Sequence, residues 1–223
     1  MRTLVVIPSK NLEATVGNVV RDVRALGLDV LVVNDGSTDG TSRAALEAGA
    51  RVIDHPTNLG KGAALRSGFR DALEHDYDAV VTLDGDAQHD TAEIPRFLDA
   101  IERTGADIVV GTRMHAVGAM PRIRVWTNRT TSRIVSRLAR QDIPDSQSGY
   151  RILRADVLRE IAGSLATSRY DTESEILIRA GRRGFRVASL PIRSIYGGTV
   201  SHIHPVVDTL RFVRLIARSL VWR

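Results

Sequence analysis

The chain of 223 residues contains no cysteine, which excludes a disulfide framework, a thiolate metal site and a cysteine nucleophile. It also lacks long apolar runs, since none approaches the roughly 18 residues that a membrane-spanning helix needs. The N-terminal run "LVVI" is too short for the core of a signal peptide. We therefore expect a cytoplasmic protein.

Two common phosphate-binding signatures are missing. The chain has neither the P-loop pattern G-x-x-x-x-G-K-[ST] nor the dinucleotide pattern G-x-G-x-x-G, which argues against a nicotinamide enzyme. Its 31 Lys and Arg exceed its 26 Asp and Glu by only five charges. This excess is too small to predict nucleic-acid binding, but it suits a phosphorylated ligand or an anionic membrane surface.

Short β-branched runs alternate with helical patterns in the first half of the chain. The strand-like runs cover residues 3–7, 29–33, 51–53, 79–83 and 107–111. This alternation predicts an α/β fold with a mainly parallel central sheet flanked by helices. From about residue 115 the alternation is lost, and we expect the second half to elaborate the same domain.

Polar loops follow the first four predicted strands, with the sequences "PSKNLE", "NDGSTDGT", "DHPTNLGKG" and "DGDAQHD". Open parallel sheets bind ligands beyond the carboxyl ends of their strands. Ordinary turn chemistry explains any one of these loops, but it explains four at one edge less well. Asp35 is placed to accept hydrogen bonds from a base or ribose. Lys61 offers a point charge to a phosphate or to a neighbouring carboxylate.

Two carboxylates, Asp84 and Asp86, directly follow the apolar run 79–83. Mg²⁺ and Mn²⁺ prefer oxygen ligands and bridge carboxylates to phosphates, so this pair predicts a metal site shared with a diphosphate. Gln88 offers a further neutral oxygen. A solvated Asp-Gly turn is the alternative, and we interpret His89 as a loop residue rather than a ligand.

The motifs "VVIPSKN", "VNDGSTDGT", "NLGKGAAL", "LDGDAQHD", "GTR", "DSQSGYR" and "YDTESEILIRA" occur in the order found in family 2 glycosyltransferases. From about residue 3 to 212 the chain resembles their dolichyl- and polyprenyl-phosphate mannosyl- and glucosyltransferase branch. The resemblance implies a GT-A fold as a single domain, with a nucleotide-sugar half (1–114) followed by an acceptor half (115–204), and the helical pattern of residues 205–223 adds a terminal helix. It also implies inverting transfer to a polyprenyl phosphate with Mg²⁺ or Mn²⁺. Lys10 and Leu12 replace the family's frequent aromatic and acidic residues, so no nucleotide base is assigned.

The motifs and the resemblance together indicate four overlapping sets of site residues. The nucleotide-sugar set is Pro8, Ser9, Asn11, Glu13, Asp35, Lys61, Asp84, Gly85 and Asp86, and the metal set is Asp84, Asp86 and Gln88. The catalytic set is Asp86, Arg113, Arg122, Arg129, Asp145 and Glu175, and the acceptor set is Arg122, Arg129, Ser148 and Gly149. For the other arginines of residues 120–140, a solvated helical face is the simpler interpretation.

Three functions agree with these residues. We favour transfer to a lipid phosphate, whose anionic oxygen needs no deprotonation. Transfer to a hydroxyl of a saccharide or small molecule needs a general base, for which the candidates are Asp145, Asp171, Glu173 and Glu175. Glu173 and Glu175 have a structural alternative, because negative charges near the start of a helix interact favourably with the helix dipole. The third possible function is that of a non-catalytic module that binds a nucleotide sugar. The intact motif "DGDAQ" argues against this function.

The C-terminal segment after Pro205 has a helical pattern with two stripes. The apolar stripe is Val206, Leu210, Val213, Ala217 and Leu220, and the basic stripe is Arg211, Arg214 and Arg218. Such a helix either packs on the core or lies as a basic amphipathic helix on an anionic membrane. The second alternative predicts a peripheral protein on the cytoplasmic face of the membrane.

Overall fold

A computed structural model describes residues 1–114, 122–169, 171–193 and 205–222. Within these ranges the strands are β1 (Thr3–Ser9), β2 (Asp29–Asp35), β3 (Arg51–His55), β4 (Ala79–Thr82), β5 (Ile108–Thr112), β6 (Arg151–Arg154) and β7 (Val187–Pro191). The helices are α1 (Glu13–Ala25), α2 (Thr41–Glu47), α3 (Lys61–Glu74), α4 (Ile94–Thr104), α5 (Arg122–Ala139), α6 (Ala155–Ile161), α7 (Thr172–Arg182) and α8 (Pro205–Ser219).

All seven strands form one sheet in the order β3-β2-β1-β4-β6-β5-β7. Strands β3, β2, β1 and β4 are parallel, and β5 is parallel to β7. Strand β6 is antiparallel to both of its neighbours, β4 and β5. The predicted α/β fold with a mainly parallel sheet is therefore confirmed.

Helices cover both faces of the sheet. Leu4 and Val6 of β1 pack into a cluster that includes residues of α3, α5, α6 and α7. Val5 and Ile7 point the opposite way, into a cluster with residues of α1 and α4. Because successive side chains of a strand alternate between faces, burial on both faces requires the continuous apolar run seen in β1.

The loss of β–α alternation in the second half has a structural cause. Helix α5 is followed by β6, which enters the sheet in the reverse direction between β4 and β5. Residues 115–121, 170, 194–204 and 223 lie outside the described ranges, and with them the predicted boundary between the halves at 115 and the end of the acceptor half at 204.

Helix α8 has one packed face and one exposed apolar face. Phe212, Leu215 and Ile216 contact the core, and the Trp222 ring lies 3.8 Å from the Arg179 guanidinium. Three members of the predicted apolar stripe are exposed, with Leu210, Val213 and Leu220 at 63%, 58% and 71%, and the Val206 side chain lies outside the described part of the structure. Among the described residues, no helix combines the length and apolar character that crossing a bilayer requires.

Candidate active site

The carboxyl ends of β1 to β4 bring the polar loops to one edge of the sheet. Ser9 at the end of β1 pairs with Asn34, and Asp35 at the end of β2 pairs with His55 at the end of β3. Strand β4 runs parallel to β1 and leads directly to Leu83 and Asp84. The loops that the sequence indicated as a ligand site therefore share one edge.

Lys61 lies between two carboxylates at this edge. Its Nζ atom is 2.6 Å from Asp84 Oδ1 and 2.8 Å from Glu173 Oε1. Burial alone would lower the pKa of Lys61, but the two carboxylates raise it above its ordinary value. Burial would likewise raise the pKa of Asp84, yet Lys61 and His89 hold it below its ordinary value. The shifts of both groups favour their charged forms, so Lys61 and Asp84 form an ion pair.

Gly149 packs directly over this cluster. A Cβ atom at this position would lie 2.8 Å from Lys61 Nζ and 2.9 Å from Glu173 Oε1, so any larger residue would displace the charged ends of these side chains. The loop is fixed by Arg151, whose buried guanidinium donates to the carbonyl oxygens of Ser146, Ser148 and Glu173. Gly149 thus connects the predicted acceptor loop to the predicted donor residues.

Ser148 occupies a place that does not suit its predicted acceptor contact. The residue is fully buried, and among the described residues its Oγ atom has no hydrogen-bond partner. An acceptor at the edge of the sheet does not reach this hydroxyl in the described conformation. The backbone of Ser148 matters instead, because its carbonyl anchors Arg151.

The loop that carries Asp86 is a tight turn. Asp86 Oδ1 accepts a hydrogen bond from the Gln88 backbone N–H at 3.0 Å, and Ala87 between them has a φ of 60°. Burial, together with the charge of Asp84, raises the pKa of Asp86. This carboxylate therefore lies in surroundings that favour an added cation.

His89 packs inside the loop that carries Asp84 and Asp86. The buried ring accepts a hydrogen bond from the Asp84 backbone N–H at its Nδ1 atom and stacks on Tyr150 with 5.0 Å between ring centroids. Burial lowers the pKa of His89 to about 4, so the ring is neutral near pH 7. This geometry agrees with a loop residue that shapes the turn.

The loop after β4 fits a divalent cation as part of a larger ligand set. Asp84, Asp86 and Gln88 supply oxygen atoms, the donor type that Mg²⁺ and Mn²⁺ prefer. Among the described residues, no group of three or more His, Asp or Glu side chains is close enough to hold a metal ion alone. A cation held here would therefore need further oxygen ligands from a bound molecule or from water.

Arg113 is oriented by a buried carboxylate. Its Nε atom is 3.1 Å and its backbone N is 3.2 Å from Asp145 Oδ2, and Asn128 Nδ2 is 2.8 Å from Asp145 Oδ1. Asp145 is fully buried and surrounded by donors. The candidate general base Asp145 is thus better explained as the residue that aims Arg113.

Glu175 is also committed to structural contacts. Its carboxylate accepts hydrogen bonds from the backbone N–H groups of Ala166 and Thr167, from the Thr167 hydroxyl and from Arg179. Burial would raise the pKa of Glu175, but the Thr167 hydrogen bonds lower it below its ordinary value. A fully buried, saturated carboxylate does not suit the catalytic role predicted for Glu175.

Two of the residues predicted to bind the nucleotide sugar, Asn11 before α1 and Glu13 at its start, hold the loop after β1 to the loop after β2. Asn11 Oδ1 accepts from the Thr38 backbone N–H at 2.9 Å, and Glu13 Oε2 accepts from the Gly40 backbone N–H at 3.0 Å. Pro8 and Ser9 are buried at the end of β1, and a Cβ atom on Gly85 would lie 2.7 Å from Ser9 Oγ. These residues shape the edge where a nucleotide is predicted to bind.

The two predicted acceptor arginines lie on α5. Arg122 is its first residue, and its side chain lies outside the described part of the structure. Arg129 is exposed and lines a groove of about 490 Å³ with Met114, Arg133 and Ile143. Met114 follows Arg113, so the groove begins next to the active-site edge.

Sequence patterns did not single out three side chains that build the site. His55 bonds to Asp35, Asn128 bonds to Asp145, and Arg151 pins the acceptor loop. Their partners are 17 to 22 residues away or spread over several loops. The available signals were that His55 falls in the polar loop "DHPTNLGKG" and that Arg151 ends the motif "DSQSGYR".

The chain matches the model of the Glycosyl transferase family 2 over residues 4–162. It is 36% identical over 208 residues to an undecaprenyl-phosphate mannosyltransferase of Micrococcus luteus, covering 86% of this chain and 83% of that protein. It is 34% identical over 206 residues to a polyprenol monophosphomannose synthase of Mycolicibacterium smegmatis, covering 86% and 76%.

Solved structures share the fold. Glucosyl-3-phosphoglycerate synthase from Mycobacterium tuberculosis, in complex with Mn²⁺, UDP and glucosyl-3-phosphoglycerate, superposes with a TM-score of 0.72 at 22% identity. The match covers 98% of this chain and 78% of that chain. The predicted GT-A fold is confirmed, and the chain is a glycosyltransferase that belongs to the Glycosyl transferase family 2.

Proposed function

We propose that this protein transfers a sugar from a nucleotide sugar to a polyprenyl phosphate, with inversion at C1 and with a divalent cation. The observation that carries the proposal is the charge of the active-site edge. Two cations lie among four carboxylates there: Lys61 pairs with Asp84 and Glu173, Arg113 pairs with Asp145, and Asp86 adds a further carboxylate. An edge with this excess of carboxylates repels an anionic diphosphate, and a bound divalent cation would offset that repulsion.

Asp86, with Asp84 and Gln88, would hold that cation. When bound, a divalent ion supplies Lewis-acid stabilisation of the negative charge on a departing diphosphate. Lys61 keeps Asp84 in place through the 2.6 Å ion pair, and Asp145 aims Arg113 toward the same edge. These residues are charged before the donor arrives, so little reorganisation is needed when the bond to C1 breaks.

The acceptor is proposed to be a phosphate because the edge offers few candidates for a general base. Asp145 and Glu175 are saturated with donors, and Glu173 is paired with Lys61. Of the four candidates for a general base that the sequence offered, only Asp171 is left among the described residues. Burial raises the pKa of its carboxyl group. A phosphate acceptor is already anionic near neutral pH and attacks C1 without proton abstraction. The names of the two relatives, which specify undecaprenyl phosphate and polyprenol, support the same acceptor class.

The proposal is tested by offering both acceptor classes. The full chain is incubated with a panel of GDP- and UDP-sugars, Mn²⁺, and either a polyprenyl phosphate or the matching polyprenol. We expect product with the phosphate and none with the alcohol. Equal or faster transfer to the alcohol or to saccharide hydroxyls would favour a hydroxyl acceptor. In that case Asp171→Asn would abolish transfer to the hydroxyl.

We also propose that α8 brings the protein to the cytoplasmic face of a membrane. Its exposed apolar stripe lies beside Arg214 and Arg218, which are both exposed. Each arginine near an anionic surface contributes about 1 kcal/mol, so two give weak and reversible binding in addition to the apolar contact. Such a contact places the active site next to an acceptor whose hydrocarbon tail stays in the bilayer.

Sedimentation with anionic liposomes tests this contact. Full-length protein is expected to sediment with the vesicles at low salt, and binding should weaken as salt is added. The double variant Val213→Ser/Leu220→Ser is expected to lose at least about tenfold in binding, because it removes apolar area that is mostly exposed on α8. Leu46→Ser on α2, where the leucine is 57% exposed, is the matched control. Equal binding by the stripe variant and the control would exclude α8 as the membrane contact.

A further inference from the structure

Asp35, His55 and Ser67 form a chain of hydrogen bonds behind the active-site edge. Asp35 Oδ1 lies 2.9 Å from His55 Nδ1, and His55 Nε2 lies 2.9 Å from Ser67 Oγ. The side chains of His55 and Asp35 are only 9% and 6% exposed. The chain therefore links the ends of β2 and β3 to the middle of α3.

The carboxylate determines the direction of these bonds. An ionised Asp35 only accepts, so His55 Nδ1 must carry a proton and donate it. In the neutral ring Nε2 then accepts from the Ser67 hydroxyl. His55 is held at both nitrogens, and this fixes the orientation of its ring and of the carboxylate that it contacts.

Asp35, the predicted nucleotide contact, also accepts hydrogen bonds from the loop that precedes α3. Its Oδ1 accepts from the Leu59 backbone N–H at 2.8 Å, and its Oδ2 accepts from the Gly60 backbone N–H at 2.7 Å. Gly60 has a φ of 98°, and the next residue is Lys61, which begins α3. The same carboxylate thus receives the His55 ring and holds the backbone from which Lys61 projects.

We propose that His55 is a positioning residue for donor binding. The His55 ring fixes the Asp35 carboxylate, and this carboxylate holds the backbone N–H groups of Leu59 and Gly60. That backbone in turn places the Lys61 ammonium beside Asp84. The inference rests on the proposed role of this edge in binding a nucleoside diphosphate. Without His55, Asp35 loses one of three donors and can rotate away from the loop, and small displacements of charged groups at such a site lower affinity and rate strongly.

The test separates the clamp from its consequence for the donor. Amide hydrogen exchange at Leu59 and Gly60, followed by NMR, reports the clamp in the absence of any nucleotide. Calorimetry with UDP, GDP, ADP and CDP in the presence of Mn²⁺ reports the donor site, with the diphosphate that binds wild type best used for the variants. The variants are His55→Ala, His55→Asn, Ser67→Ala, Asp35→Asn and the double variant Asp35→Asn/His55→Ala.

His55→Ala is expected to speed amide exchange at Leu59 and Gly60 and to weaken diphosphate binding, each by about tenfold. His55→Asn keeps a donor near the position of Nδ1, so both quantities should stay within about threefold of wild type. Ser67→Ala removes only the outer anchor and should give an intermediate loss. The double variant should bind no more weakly than Asp35→Asn, because His55 acts through Asp35. His75→Ala, at a half-exposed histidine that bonds to the Asp71 carbonyl, is the control.

Two results would overturn the proposal. One is unchanged exchange and affinity in His55→Ala. The other is an equal loss in His55→Ala and His55→Asn that follows the melting temperature, which would make His55 a purely structural residue. If wild type binds none of the diphosphates, the proposed function fails, whereas faster exchange at Leu59 and Gly60 in His55→Ala would still support the clamp.

Discussion

Replacing Asp86 by alanine is expected to lower sugar transfer by at least about a thousandfold, because several kcal/mol of leaving-group stabilisation are lost with the cation. The fold should survive, since the hydrogen bond of this carboxylate to the Gln88 backbone N–H lies within one turn. Removing a carboxylate whose pKa is raised by burial and by Asp84 also relieves repulsion in the free protein. The melting temperature should therefore be equal to or above that of wild type.

The matched control for this variant is Asp99→Ala on α4, where the carboxylate is 69% exposed and pairs with Arg103. Exposed pairs contribute little, so the control should keep both activity and melting temperature. Steady-state rates at saturating Mn²⁺ and thermal melting are measured for both variants. An Asp86→Ala protein with turnover within tenfold of wild type would remove Asp86 from the proposed metal site.

Replacing Lys61 by methionine is expected to affect stability and activity together. Methionine fills the volume of the lysine stem, but it leaves Asp84 and Glu173 close to each other without the ammonium between them. Breaking a buried ion pair on one side typically costs about 3 kcal/mol, so the variant should unfold at distinctly lower denaturant than wild type. Transfer should fall by at least about a hundredfold, because Asp84 is no longer held in place.

A second variant separates the two effects of Lys61. Lys61→Met/Glu173→Gln removes one of the two remaining carboxylate charges and should regain part of the lost stability. Its activity should stay low, because Asp84 still lacks its partner. Chemical denaturation and transfer assays are run in parallel on both proteins. If the double variant is less stable than Lys61→Met, the repulsion between Asp84 and Glu173 is not the cause of the loss.

The sheet was predictable where burial on two faces leaves a continuous apolar run. Strands β1, β2 and β4 are of this kind, and each ends within two residues of the start of its polar loop. Strand β6 was not predictable, because it is four residues long and begins and ends with arginine. The Arg151 side chain at its start is buried only because three loop carbonyls surround its guanidinium. No local pattern in the sequence contains that arrangement.

The same reason explains which site residues the sequence identified. Asp84, Asp86 and Lys61 stand at the ends of strands or in glycine-rich loops, where position alone indicates a ligand edge. Asp145 and Glu175 are acidic residues in family motifs, and their catalytic assignment depended on their staying accessible. Each instead meets donors brought by tertiary folding: Arg113 lies 32 residues before Asp145, and Thr167 lies eight before Glu175. A sequence shows which side chains could act as bases or ligands, but it does not show whether the folded chain leaves them accessible.

The most direct test of the proposed site is calorimetric titration of wild type and Asp86→Ala with UDP and GDP, once in Mn²⁺ and once in EDTA after removal of bound metal. Wild type should bind one diphosphate in Mn²⁺ and lose at least about a hundredfold in affinity in EDTA. Asp86→Ala should bind weakly under both conditions. Equal affinity of wild type in Mn²⁺ and in EDTA would contradict a donor site built on Asp84, Asp86 and a shared cation.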